Sequence, residues 1–159
     1  FLKGEKLLAL SREKKLEVNH FLVRLMILFY NSKESLIKSW PLSIPEKKIF
    51  FHKCWQDIDP AVFNLKDPAL KYRELEFYQA EELIMFAVNN FEQEAVEEIF
   101  EHLELRNQIE IPVSGHDLIE MGIKEGPEIK EYLLELRDQI LRRQISGRED
   151  ALEYLNEII

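Results

Sequence analysis

The sequence predicts an all-α protein: an elongated array of about eight helices that ends in a helical hairpin. Three observations carry that prediction. Apolar residues recur at helical spacing along most of the chain. Cap signals, either Ser/Asp/Asn followed three residues later by Glu/Gln or an Asp-Pro pair, separate those runs. The residues that break helices also cluster, with three of the five glycines and two of the six prolines falling between Ile109 and Ile129.

In chain order, Val18, Leu22, Leu25 and Phe29, widened by Phe21 and Met26, give one buried stripe to a helix from about Glu5 to Tyr30, with a break near Ser11. Asn31-Ser32 ends it, and Leu36, Ile37 and Trp40 make a short helix closed by Pro41. Ser43 with Glu46 is a capping box for a helix to about Gln56, with Ile49, Phe50, Trp55 and Ile58 as its apolar residues. Asp59-Pro60 starts a short turn. Asp67-Pro68 starts a long helix through Leu75, Tyr78, Phe86 and Ala87, since proline at the first helical position forfeits no intrahelical bond. Asn90 with Gln93 caps the next helix, which turns Ala95, Val96, Ile99, Phe100 and Leu103 inward and Glu92, Glu94, Glu97, Glu98 and Glu101 outward.

The glycine-rich stretch organises the rest. Ile109, Ile111 and Val113 alternate as a short extended segment. Asp117 with Glu120 has capping-box spacing and predicts a short helix opening at Leu118, which Gly122 stops in the left-handed conformation. Gly126-Pro127 opens a longer helix with Ile129, Leu133, Leu136 and Ile140 inward. Its first amides lack intrahelical partners, and Lys124 and Lys130 flank them, so this end is a plausible phosphate seat. An ordinary tight helical hairpin explains the same residues without a ligand. Arg137, Arg142 and Arg143 complement the dipole at the far end, Gly147 breaks the helix, and Ala151, Leu152, Leu155 and Ile158 form the last one. The nearest thing to a boundary is Asn107 to Pro112, which predicts a helical domain over 1–108 and a second over 109–159.

With 159 residues, 46% of them apolar, the chain can bury a core. It has no apolar run long enough to span a membrane. The single cysteine, Cys54, fits a reducing, cytoplasmic setting. Phe1-Leu2-Lys3-Gly4 lacks a starting methionine and a cleavable leader pattern, which suggests an excised fragment.

Net charge is −9 but unevenly spread: residues 1–58 carry 11 basic and 6 acidic side chains, residues 59–110 carry 4 and 13, and residues 111–159 carry 6 and 11. Phosphates would therefore be drawn to the front third, to Lys3, Lys6, Arg12, Lys14, Lys15, Lys47, Lys48 and Lys53. A solvated helix face accounts equally for any one of these lysines.

Catalytic and metal-binding patterns are missing. Asp57 and Asp59 have the spacing of a metal-holding pair, but no glycine pair or strand precedes them and Pro60 makes Asp59 a cap. His116-Asp117 lacks the further ligands of a phosphohydrolase, and His52 with Cys54 lacks a second zinc pair. No catalytic residue, metal site or cofactor is expected in this chain.

The order Ser114-Gly115-x-Asp117-Leu118-Ile119, then Gly122-Ile123-x-x-Gly126-Pro127-x-Ile129, a long helix, a basic turn and a last Glu-x-x-Leu helix resembles the C-terminal tail of the bacterial-type (class II) tRNA nucleotidyltransferases. These include CCA-adding enzymes and their poly(A) polymerase relatives. The match runs from Ile111 to about Leu155, and the preceding helical region is compatible with the neck and body of that family. The resemblance implies a tRNA-binding portion whose catalytic head, with its Mg2+, lies elsewhere. The family's Glu-Asp-x-x-Arg signature has no match, since Glu149-Asp150 is followed by Ala151-Leu152-Glu153. The resemblance further implies that the amides around Gly126-Pro127, with Lys124 and Lys130, meet the tRNA backbone near its elbow; Gly115 and Ile129 in the same stretch, and Lys14 and Lys15 in the basic front third, are further candidate RNA-binding residues. A different class of function, an acidic all-helical protein-interaction module, is suggested by the pI near 5.0 and the acidic middle third.

Overall fold

A computed structural model describes residues 2–29, 40–52, 54–90 and 93–159. Among them there is no strand. The helices are α1 (Leu2–Glu13), α2 (His20–Leu28), α3 (Ile44–His52), α4 (Pro68–Leu75), α5 (Ala80–Asn89), α6 (Gln93–Gln108), α7 (Gly115–Glu120), α8 (Pro127–Leu141) and α9 (Arg148–Ile158), with 3-10 turns at Cys54–Asp57 and Pro60–Asn64. The expected helix over Leu36 to Trp40, apart from Trp40 itself, and the outward placement of Glu92 lie outside the described residues.

The chain divides into two compact units. The first comprises Phe1–Asn64 with Glu74–Asn107, and the second Leu65–Arg73 with Gln108–Ile159.

The first unit is built around α5. All residues from Glu81 to Ala87 are buried, the signature of a helix covered on every side. α1, α2 and the first 3-10 turn pack on it. Its two buried carboxylates both serve backbone N–H groups: Glu81 accepts from Asn19 at 2.6 Å and Glu82 from Gln79 at 2.9 Å. The second bond is half of a capping box that starts α5. This cap divides what the sequence suggested was one long helix from Pro68 to Ala87; a turn over Glu76–Tyr78 intervenes.

The stretch from Glu5 to Tyr30 is likewise two helices, and the break expected near Ser11 falls after Glu13. α1 ends with Lys15 in the left-handed conformation (φ 54°). Lys15 N–H bonds Arg12 O at 3.0 Å and Leu16 N–H bonds Ser11 O at 2.9 Å, the paired bonds of a Schellman motif. α2 then restarts with the Asn19 side chain accepting from Leu22 N–H. Turning the stripe this way leaves Phe21 exposed, contrary to its expected burial, while Leu22 and Met26 are buried. The Ser43/Glu46 box and both Asp-Pro caps form as expected: Asp59 accepts from Ala61 N–H and Asp67 from Ala69 N–H, each at 2.9 Å. The apolar residues expected to face inward on α6 are all buried, with His102 among them.

The second unit encloses Val113, Leu118, Ile123, Leu136, Ile145, Ala151 and Leu155, with Ile129, Leu133 and Ile140 packed against them. Ile158 is 41% exposed and does not join this core. The segment 65–73 is held to α8 by charge. Arg142 grips Asp67 with two guanidinium nitrogens, the closest contact 2.9 Å. Arg137 lies over the Tyr72 ring at 4.9 Å, and Arg73 pairs with Asp138, which is 1% exposed.

Candidate nucleic-acid interface

The hairpin of α7 and α8 begins three residues earlier than its sequence suggests. Ser114, not Asp117, is the N-cap. Asp117 is the third helical residue of the box and accepts from Ser114 N–H at 2.7 Å, while Asp117 N–H bonds Ser114 Oγ at 3.3 Å. Arg148 locks the same carboxylate from α9, one guanidinium nitrogen 2.5 Å from Oδ1 and the other bonding Pro112 O at 2.9 Å. With Arg148 and Ser114 both donating to it, the Asp117 carboxyl is held well below the usual carboxylate range.

α7 ends as expected. Gly122 has φ 98°, its N–H bonds Ile119 O, and Ile123 N–H bonds Leu118 O at 3.0 Å. The buried pair Leu118 and Ile123 completes this second Schellman motif. α8 opens at Pro127 behind an extended Gly126 that offers no side-chain cap. A Cβ on Gly115 would sit 3.1 Å from Ile129 Cγ2, so glycine here lets the two helices approach.

The hairpin therefore gathers six of the sequence-nominated residues: Gly115 and Ile129 at the helix contact, and exposed Lys124, Gly126, Pro127 and Lys130 around the N-terminus of α8. Glu125 and Glu128 are exposed in the same stretch. Lys14 and Lys15 belong to the first unit. Lys14 is ion-paired with Glu104 at 2.8 Å, whereas Lys15 is exposed in its left-handed turn. The far end of α8 repeats that turn with an arginine. Arg143 has φ 58°, its N–H bonds Ile140 O and Gln144 N–H bonds Gln139 O, both at 2.9 Å. The helix thus stops at Leu141, ahead of Gly147, which caps the start of α9 instead of breaking α8.

Sequence reasoning did not find the residues that position this hairpin: Arg148 on Asp117, Arg142 on Asp67 and Arg73 on Asp138. Their partners lie 31 to 75 residues away, so no local pattern marks them. Among the described residues no group of three or more His, Cys, Asp or Glu side chains could hold a metal ion. His116 is exposed and, among the described residues, meets only Glu120, at 3.4 Å. No helix among them is long and apolar enough to cross a membrane.

Residues 64–155, more than half of the chain, match the family model described as tRNA nucleotidyltransferase domain 2, putative. The chain belongs to this family. The match opens one residue before the second unit's first segment and closes inside α9, so this tRNA nucleotidyltransferase domain covers most of the discontinuous unit and the chain that interrupts it. The sequence is also 30% identical over 128 residues, 80% of the chain, to an A-adding tRNA nucleotidyltransferase of Halalkalibacterium halodurans. The chain spans 29% of that relative's length. No solved structure matches it.

Proposed function

We propose that this chain is the tRNA-holding C-terminal portion of a tRNA nucleotidyltransferase, an enzyme that adds CCA or part of it to tRNA 3′ ends. The nucleotidyl transfer, and the Mg2+ it uses, belong to a catalytic head outside these residues. The observation that carries the reading is the family match across residues 64–155. The hairpin supports it chemically. Around Gly126 the backbone is open, the amides at the start of α8 have no side-chain cap, and Lys124 and Lys130 stand exposed beside them. Such a terminus favours phosphate. It reads the sugar-phosphate backbone, here the tRNA elbow, with little dependence on base sequence.

Glu125 and Glu128 set an opposing charge, so the two lysines are the residues on which binding depends. In the first unit Lys15 is the stronger candidate for phosphate contact, because Glu104 already neutralises Lys14. The test is the affinity of the chain for full-length tRNA and for tRNA lacking its elbow, across a salt series. The expected result is binding that weakens steeply with salt and is lost with the elbow. Salt-insensitive or elbow-independent binding overturns the assignment of the hairpin.

A further inference from the structure

A depression of about 540 Å3 opens in the first unit between α3, the 3-10 turn Cys54–Asp57 and the segment entering α5. Small-molecule pockets run to roughly 300–1,000 Å3, so this one has room for a large side chain. Its apolar walls are Pro45, Ile49, Tyr78 and Phe77. Phe77 is 79% exposed, and Ile44, next to Pro45, is 85% exposed. Large apolar side chains bared around a concavity mark an interaction surface.

The polar lining is acidic on balance, with Glu82 and Asp57 against Lys48. Glu82 is 5% exposed and accepts a hydrogen bond from the Gln79 N–H, a neutral donor. Among the described residues neither Glu82 nor Asp57 has a cationic side chain at ion-pair distance. The resulting field is felt nearby. Burial, then the Glu82 charge, pushes the Cys54 thiol up, and burial, then Asp57, does the same to the Tyr78 phenol.

A phosphate would be repelled here. An organic cation gains counter-charge and ring faces together. Arginine fits best, because its planar guanidinium can stack on Phe77 or Tyr78 while donating to a carboxylate, and its stem can lie along Ile49 and Pro45. We infer that this depression docks a partner polypeptide through an arginine side chain, with apolar neighbours of that arginine resting on Phe77 and Ile44. Arginine and aromatic residues are the usual anchors of such contacts. The inference stands apart from the tRNA reading and needs none of the hairpin residues.

The test is an NMR titration of the whole chain, labelled in its Phe and Tyr rings, with acetyl-Leu-Arg-Leu-amide, with its neutral citrulline counterpart, and with an oligoadenylate. The arginine peptide should shift the Phe77 and Tyr78 signals saturably, and the citrulline peptide should bind about tenfold more weakly. Phe77→Ala and Asp57→Asn, both at exposed positions, should each weaken the arginine peptide several-fold without unfolding the chain. Equal binding of the two peptides, or no saturable shift with either, overturns the inference. So does tighter occupation of the same rings by the oligoadenylate, which would make the depression a base-stacking site.

Discussion

Arg148 and Asp117, 31 residues apart, meet at 2.5 Å, and the carboxylate that Arg148 holds is the one that caps α7. The cap and the closure of α9 on the hairpin are therefore one interaction. Ser114→Ala removes only the hydroxyl half of the box and should cost about 1 kcal/mol. Asp117→Asn loses the ion pair as well and should cost more, both read by urea denaturation. The pH dependence has a definite sign. Asp117 titrates lower in the folded chain than in the unfolded one, so its contribution is fully present above the ordinary carboxylate range and is lost as pH falls below it.

His102 acts at higher pH. Burial in α6, with Arg106 adding to it, lowers its pKa to about 4. The unfolded chain takes up a proton near the ordinary histidine value of about 6.5, so stability should fall as pH drops from there toward 4. The loss expected is of the order of 3 kcal/mol. Denaturation midpoints between pH 7 and 4.5 should show this slope, and His102→Leu should flatten it.

Asp138 depends on Arg73. Arg73→Ala leaves a nearly inaccessible carboxylate without its main partner and should cost about 3 kcal/mol, whereas replacing both residues with leucine should cost much less. A double-mutant cycle in urea measures the difference. If the two single changes simply add, Arg73 is not the partner that makes this burial tolerable.

Lys15 and Arg143 each occupy a left-handed position that glycine would fill without steric cost. Arg143→Gly and Lys15→Gly should leave stability unchanged or raise it by up to about 1 kcal/mol, the relief of strain being partly offset by the freer unfolded chain. That makes Lys15→Gly a clean probe of the tRNA reading. Affinity should fall while the melting temperature does not.

The helical class and most of the caps were legible because they depend on neighbours three or four residues apart. Ser43 with Glu46, Asp67 before Pro68, and Gly126 before Pro127 all behave as their spacing requires. The N-terminus of α7 was misread because Asp117 fits two boxes, one with Glu120 and one with Ser114. Gly122 decides between them: a helix that must end at Glu120 has no room to begin at Leu118. The break after α4 is not signalled, and the one after α1 falls a few residues past its expected place near Ser11, for a related reason. Lys15 gives no sign that its backbone turns left-handed, and Gln79 is an unusual cap. At the candidate site the hairpin residues were readable from local turn chemistry, but the arginines that fix the hairpin were not.

The discontinuity of the second unit sets the order in which the protein can assemble as it is made. Asp67, Tyr72 and Arg73 leave the ribosome before Arg137, Asp138 and Arg142 exist, and at roughly 5–20 residues per second they wait several seconds for them. Meanwhile the intervening residues from Glu74 to Asn107 can complete the first unit. The second closes last, once Arg148 has emerged to reach Asp117. A nascent chain stalled before α9 would therefore present a finished first unit and an open hairpin.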